Sequence, residues 1–387
     1  MTDRLADTIS LLERLIAYPT VSADSNLDLI DDLAGRLEKC GARIDLFHDD
    51  SGQKATLFAT IGPDRPGGIV LSGHTDVVPV TDQDWSSDPF AMRLEDDRAY
   101  GRGSCDMKGF IAATVAMASD LTDRDLHRPV HFSFTYDEEV GCLGAQALVP
   151  ELQKRDIRPA MAIIGEPTEM KVIEGHKGCS EYTTRFTGLE GHGSMPDRGV
   201  NAVEFAVHFV SKLMALREGL IRRAPLESRF DPPWSTINIG AVRGGSAHNV
   251  IPGKAEVEWE MRPVQQSDAD LVKERLARHI EDVLLPAMRK ISPQADINTE
   301  TIAEVCGLEP MDENAARDLL FDLLGTNSAD VVPFGTEAGL FQQMGMAAIV
   351  CGPGSIQQAH KPDEFVSLEQ LQACHGMLDR LVQTVTV

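Results

Sequence analysis

The chain has 387 residues, 42% hydrophobic and 25% charged, and its 60 acidic side chains outnumber 36 basic ones to give a formal charge of −24. This charge argues against nucleic acid and anionic membranes as partners, because both are bound through basic patches. No apolar run approaches the ~20 residues that span a bilayer, and neither a secretory signal nor a CxxC pair is found, so we expect a reduced, cytoplasmic location.

Residues 1–177 alternate predicted helices and strands. Apolar residues at three- and four-residue spacing predict helices in TISLLERLIAY and NLDLIDDLAGRLEKCG, and GFIAATVAMASDL is a third. Short apolar runs bounded by turn residues predict buried strands in KATLFATIG, GGIVLSGHTDVVPV, VHFSFTYDEE and AMAIIGEP. The alternation indicates an α/β fold with a mixed, mostly parallel sheet flanked by helices.

The pattern changes near residue 178. Half-exposed strands and two amphipathic helices follow in the order β-α-β-β-α-β, which is typical of a ferredoxin-like α+β domain. After residue 305 the chain returns to short apolar strands with a helix between them. We therefore predict one discontinuous domain, residues 1–177 and 306–387, with a second domain, residues 178–305, inserted into it.

Acidic residues and histidines repeatedly stand where predicted strands end. They are His74 and Asp76, Asp106 in a glycine-rich turn, the triplet Asp137, Glu138 and Glu139, then Glu166 and finally His360. Because ligands of open α/β sheets bind outside the carboxyl ends of the strands, these side chains should converge. Several carboxylates in one crevice cannot all ionise without cations, and mixed His and carboxylate ligands suit zinc, cobalt or manganese better than calcium.

Each motif alone also has an ordinary structural interpretation. His74 with Asp76 could be a core histidine beside a carboxylate, and Asp106 could cap a helix. The acidic triplet could be a solvated loop. The metal hypothesis depends on all of them occurring together at corresponding strand ends.

The segments SGHTDVVP, GRGSCDMKG, TYDEEVGCLGA, GEPT and GHGSMPDRGVNA resemble, in this order, the motifs of the M20 family of dinuclear metallohydrolases. The resemblance implies two divalent metal ions per subunit, Zn²⁺ or Co²⁺ with Mn²⁺ also open, bridged by Asp106. His74 and Glu166 would complete the protein ligands of one ion, and Glu139 and His360 those of the other. The inserted domain would be a dimerisation and lid domain in a homodimer.

The resemblance also implies catalytic roles. Glu138 would be the general base and acid for a hydroxide shared by the metal ions, and Asp76 would orient His74. His192 would stabilise the oxyanion from the partner subunit, and Asp137 would be structural. The Asp106–Met107 peptide would be cis.

Substrate contacts are implied less directly. Arg262 could bind an α-carboxylate by two hydrogen bonds, and Asn249 could contact the substrate. Gly335 and Thr336 would line the pocket, with Glu337 as a partner for a cationic side chain.

Several functions remain open at this point. Within the family, the segments FGTEAGLFQQMG and CGPGSIQQAHKPDEF resemble those of members that remove the acetyl group from N2-acetyl-L-ornithine, a step of arginine biosynthesis, so the resemblance implies this activity. Alternatives with the same chemistry are removal of a succinyl group from succinyl-diaminopimelate, another N-acyl amino acid deacylation, and dipeptide hydrolysis. An alternative from another class is a non-catalytic metal-binding scaffold.

Overall fold

The computed structural model describes residues 3–387. The chain divides into two compact units. The first contains the described residues up to Gly175 together with Pro310–Val331 and Thr336–Val387, and the second contains His176–Glu309 and Val332–Gly335.

The α-helices are α1 Asp3–Ile16, α2 Leu27–Lys39, α3 Gly109–Ala118, α4 Leu143–Lys154, α5 Ala202–Ile221, α6 Gln266–His279, α7 Leu285–Arg289, α8 Ala315–Leu324, α9 Ala338–Gln343 and α10 Leu368–Val385. The strands are β1 Arg43–His48, β2 Ala55–Ile61, β3 Ile69–His74, β4 Arg93–Glu95, β5 Arg98–Tyr100, β6 Val130–Thr135, β7 Met161–Pro167, β8 Val172–His176, β9 Cys179–Thr187, β10 Gly191–His192, β11 Thr236–Gly244, β12 Val250–Ile251, β13 Lys254–Arg262, β14 Asp296–Val305, β15 Ala329–Val332, β16 Ala347–Gly352 and β17 Phe365–Ser367.

The first unit is built on a mixed sheet that has eight strands within the described residues, in the order β1-β2-β6-β3-β7-β16-β8-β15. Its central strands β6, β3, β7 and β16 are parallel, and antiparallel pairs flank them. All residues of β2, β3, β6 and β7 are buried, because helices cover the sheet. The predicted α/β fold with a mixed sheet is confirmed.

The second unit contains an antiparallel sheet with strand order β11-β13-β9-β14. Alternate residues of β13 are buried, as expected for a sheet with one covered face. Helix α5 packs on this sheet, and Phe209 of α5 contacts Phe186 and Trp259 edge-on. The chain order and strand order are those of the predicted ferredoxin-like α+β fold.

Within residues 3–387, none of the helices combines the length and apolar character needed to cross a membrane.

Candidate metal centre

Three neighbouring strands deliver acidic and imidazole side chains to one end of the sheet. His74 is the last residue of β3, and Glu166 is the sixth residue of β7. The triplet 137–139 follows the end of β6 after one residue. Because β3 lies between β6 and β7 and is parallel to both, these ends are adjacent.

Asp106 lies between the two histidines. Its Oδ1 is 3.0 Å from Nε2 of His74, and its Oδ2 is 3.5 Å from Nε2 of His360. The residue belongs to a tight turn, 104–108, that leads directly into α3, and the Asp106–Met107 peptide is cis as the family resemblance implied. Each oxygen of this carboxylate therefore faces a different imidazole, which is the arrangement needed to bridge two ions.

The remaining predicted ligands complete the cluster. Nε2 of His360 lies 3.0 Å from Oε2 of Glu139, and Nε2 of His74 lies 3.9 Å from Oε1 of Glu166. Ligand atoms of two triads fall within 4.8 Å of one another: His74, Asp106 and Glu139 in the first, and His74, Glu138 and Glu166 in the second. The second triad contains Glu138, so geometry alone allows Glu138 to be either a ligand or a base.

Asp76 supports this cluster through more contacts than the sequence indicated. Nδ1 of His74 is 2.9 Å from the backbone carbonyl of Asp76 and 3.5 Å from its carboxylate. The carboxylate accepts hydrogen bonds from the backbone N–H groups of Glu138 and Glu139 and from the Ser22 hydroxyl. Asp76 thus holds the histidine through its carbonyl and the acidic turn through its side chain.

Asp137 has a cationic partner of its own. Both of its oxygens lie 2.6 Å from Nζ of Lys54, which also donates to the carbonyl of Ser22. Asp137 is buried and adopts a left-handed backbone conformation, with φ of 53°. The ion pair keeps the first carboxylate of the triplet away from the cluster, while the other two point toward it.

The protein around the cluster disfavours its negative charge. Burial, with the charges of Glu139 and Asp76, raises the pKa of Glu138 to about 8. Burial and the charge of Asp106 raise the pKa of Glu166 well above its usual range. These carboxyl groups resist ionisation because they are buried and because several acids share one site.

The imidazoles respond in the opposite direction. Hydrogen bonds to Asp106 and Glu139 raise the pKa of His360 to about 10. Although burial opposes it, hydrogen bonding to Asp106 and Asp76 raises the pKa of His74. The same bonds outweigh burial and lower the pKa of Asp106. Protons on the two histidines therefore offset part of the negative charge of the cluster.

This donor set fits divalent metal ions. It combines two imidazoles with carboxylates whose oxygens converge. The negative charge of these carboxylates is only partly compensated by protons on the histidines. Cations bound among these groups would favour the ionised carboxylates and the neutral imidazoles that ligation requires. The preference among zinc, cobalt and manganese stays open because this donor set accepts all three.

Two buried acids near the cluster were not predicted as parts of it. Glu337 is 1% exposed, and its oxygens accept hydrogen bonds from the hydroxyls of Ser72 and Thr135, at 2.5 and 2.8 Å. These two hydroxyls are the partners of its carboxyl group, and the role of Glu337 as a partner for a cationic side chain stays a prediction. Glu364 is also 1% exposed and contacts the turn that carries Asp106. The available sequence signal for a buried partner such as Glu337 was the presence of the polar residues Ser72 and Thr135 in the otherwise apolar strands β3 and β6.

Most of the predicted substrate contacts belong to the second unit. His192 and Asn249 are neighbours there, because His192 pairs with Val250 between β10 and β12. Both are exposed, and Nδ1 of His192 is 2.8 Å from the Ser194 hydroxyl. Arg262 ends β13 and is paired with Glu260 at 2.9 Å.

Gly335 and Thr336 fall on either side of the division between the units. Gly335 is the last residue of a short segment of the second unit, whereas Thr336 is buried in the first. The Thr336 hydroxyl accepts a hydrogen bond from the backbone N–H of Ala338 at the start of α9.

Comparison with known sequences gives a match along most of the chain. The sequence pattern of peptidase family M20/M25/M40 matches residues 70–384. The chain is also 35% identical, over 386 residues, to the acetylornithine deacetylase of Pasteurella multocida (strain Pm70), with 98% of each chain covered.

Solved structures with this fold include an M20 family metallo-carboxypeptidase from Sulfolobus solfataricus, with a TM-score of 0.72, 18% identity and 99% of each chain covered. A dinuclear metal-binding peptidase of the M20 family from Bacillus subtilis has a TM-score of 0.66 at 17% identity, with 100% of each chain covered. At these identities the likeness is one of fold.

Proposed function

The chain belongs to peptidase family M20/M25/M40 and is a hydrolase acting on amides, and we propose that its substrate is N2-acetyl-L-ornithine, which it would cleave to L-ornithine and acetate. The observation that carries the substrate proposal is the 35% identity to an acetylornithine deacetylase along nearly the whole of both chains. The hypothesis of a non-catalytic scaffold does not hold for a member of this hydrolase family.

We propose that the centre holds two divalent metal ions, one bound by His74 and Glu166, the other by Glu139 and His360, with Asp106 shared. The ions would supply a water of lowered pKa and a polarised amide carbonyl. These roles are supported by the two oxygens of Asp106, which face different imidazoles.

Glu138 would move the proton. Its carboxylate would accept a proton from the attacking water and deliver it to the amide nitrogen, which is otherwise a poor leaving group. The backbone N–H of Glu138 is fixed 3.0 Å from Oδ1 of Asp76, and the Cys142 thiol lies 3.4 Å from Oε1 of Glu138. The first contact holds the backbone of Glu138, and the second contacts its carboxyl group.

His192 would donate a hydrogen bond from Nε2 to the developing oxyanion. Its Nδ1 is engaged with Ser194, and Nε2 has no partner among the described residues, which leaves that nitrogen available. Asn249, which directly precedes β12, and the backbone of Gly335 and Thr336 would contact the substrate. Arg262 would bind the α-carboxylate of the substrate, which must compete with Glu260 for the guanidinium group.

We further propose that the second unit forms a homodimer. Val207, Met214 and Ile221 recur every seven residues on α5 and are 53%, 46% and 37% exposed, which makes an apolar stripe. The helix that carries the stripe also contacts β11, an edge strand of the sheet, where Val242 is 49% exposed. An unpaired strand edge next to an apolar helix face suits a second copy of the same surface.

Replacement of Met214 by Glu is expected to convert the dimer to a monomer, because it places a charge at the centre of that stripe. Sedimentation equilibrium measures this as a fall from about twice the 42.2 kDa chain mass to the mass of one chain. Lys212→Glu, on the same helix but outside the stripe, is the control. A wild-type chain that is monomeric at micromolar concentration would contradict the dimer.

The substrate proposal predicts a kcat/KM for N2-acetyl-L-ornithine at least roughly 10²-fold above that for succinyl-diaminopimelate, since the proposed substrate contacts include no partner for a second carboxylate. The measurement is release of free amine by metal-stripped protein reloaded with Zn²⁺ or Co²⁺. A preference for the succinyl compound would keep the chemistry and overturn the substrate. Turnover of dipeptides alone would place the chain with the peptidases.

A further inference from the structure

A continuous chain of hydrogen bonds joins the backbone of His360 to the backbone of Asp106, two ligands of the same proposed ion. It runs through the side chains of Gln83, Arg102 and Glu364 and involves no metal ion. These residues come from three segments: the loop after β3, the turn before α3, and the stretch before β17.

Glu364 fixes the turn that carries Asp106. Its Oε1 accepts hydrogen bonds from the N–H groups of Cys105 and Asp106, at 2.9 and 3.0 Å. Its Oε2 accepts from the N–H of Gly103 at 3.0 Å and from Nη1 of Arg102 at 2.7 Å. A buried carboxylate with four donors is fully engaged, so the turn and Glu364 form one rigid piece.

Arg102 connects Glu364 and its turn to Gln83. The residue is 1% exposed, and its guanidinium lies 5.0 Å from the ring centre of Trp85. Nη2 of Arg102 donates to Oε1 of Gln83 at 2.6 Å, and the indole N–H of Trp85 donates to the same oxygen at 3.0 Å. The amide of Gln83 is therefore oriented, with its nitrogen directed away from the cation.

That nitrogen is bonded to His360. Nε2 of Gln83 donates to the carbonyl of His360 at 2.9 Å. His360 has a left-handed backbone, with φ of 62°, which a residue with a Cβ seldom adopts unless its surroundings enforce it. Its side chain is 54% exposed, so packing contributes little to fixing the residue, and hydrogen bonds to its side chain and its carbonyl must do so.

We propose that Gln83 is a positioning residue of the metal centre, which holds His360 at the distance from Asp106 that one of the two ions requires. The inference rests on the proposed dinuclear centre. Removing the donor of Gln83 would loosen the backbone at His360, although Nη1 of Arg102 would still donate to the next carbonyl, that of Lys361. It would weaken one ion only, because Glu364 would still hold Asp106. Outer partners of metal ligands typically change metal affinity by about 10- to 100-fold.

The test is Gln83→Glu, which preserves the shape and the oxygen facing Arg102 but replaces the donor that faces the carbonyl. Metal-free protein is titrated with Co²⁺, and the visible absorbance gives the affinity of each of two steps. We expect one step to weaken by about 10- to 100-fold and the other to stay within about twofold of wild type. The weakened step should be the one that Glu139→Gln weakens, not the one that Glu166→Gln weakens.

Ser86→Ala is the matched control, because Ser86 in the same loop bonds Asp363 and not His360. It should leave both steps unchanged, and both variants should match the wild-type thermal midpoint in chelator. The inference would be overturned if both steps of Gln83→Glu had wild-type affinity, or if Gln83→Glu and Ser86→Ala weakened both steps equally. In either case the proposed dinuclear centre would still stand. A wild-type chain that binds fewer than two ions would overturn the proposed centre and the inference with it.

Discussion

Glu138→Gln is expected to lower kcat by a factor of about 10² to 10⁴ while both metal ions stay bound. The amide preserves the size of the side chain and its contact with Cys142 but cannot accept a proton. Because Glu138 also belongs to a possible ligand triad with His74 and Glu166, the metal content decides its role. Steady-state hydrolysis and metal analysis after dialysis are measured on the same sample.

The control is Glu151→Gln, an exposed carboxylate of α4 that is paired with Lys154. It should turn over at the wild-type rate. If Glu138→Gln loses one ion together with its activity, Glu138 is a ligand and another group must move the proton. Unchanged activity would exclude both roles.

The pH–rate profile separates the roles further. Burial and neighbouring acids raise the pKa of Glu138 to about 8 in the metal-free cluster, and adjacent cations must lower it. As a base, Glu138 works only when ionised, so the rate should rise with pH through that lowered pKa. The rise should disappear in Glu138→Gln and persist in Glu151→Gln.

Asp106→Asn is expected to weaken both metal-binding steps by at least roughly 100-fold and to abolish measurable hydrolysis. Its two oxygens face His74 and His360, and the substitution replaces one with an NH₂ group and removes the negative charge. Metal content after dialysis and Co²⁺ titration measure the loss. Circular dichroism in chelator checks that the variant is folded.

The contrast with single-ion ligands makes this prediction specific. Glu139→Gln and Glu166→Gln should each weaken one step, whereas Asp106→Asn should weaken both. Asp45→Asn, which disturbs only a surface ion pair with Arg155, is the control. Retention of one ion at wild-type affinity in Asp106→Asn would contradict a shared carboxylate.

The convergence of the cluster could be predicted because strand ends have a fixed geometry. His74 is the last residue of β3 and Glu166 is the last but one of β7, and these parallel strands are adjacent in the sheet. Predicting the two strands therefore also predicts that both side chains lie at the same end of the sheet. Asp106 could be recognised as important from its glycine-rich turn, but its position between two imidazoles depends on Glu364. More than 250 residues separate these partners, and no local pattern links them.

The support of the cluster was less predictable than its ligands. The family resemblance implied that Asp76 orients His74, and in the structure the closer contact of Nδ1 of His74 is with the carbonyl of Asp76 and not with its carboxylate. Gln83 stands in a polar stretch, TDQDW, that has the composition of an ordinary surface loop. Its role depends on what other segments place against it, which composition does not encode.

The position of β16 in the sheet bears on how the protein is made. This strand is formed by Ala347–Gly352, yet it lies between β7 and β8, whose residues are synthesised about 180 positions earlier. Until it emerges from the ribosome, the growing chain carries β7 as an open, apolar strand edge, a surface prone to pair with other chains. Synthesis at 5–20 residues per second would prolong that exposure for roughly ten seconds or more. The first unit can therefore close its sheet only when the last tenth of the chain arrives.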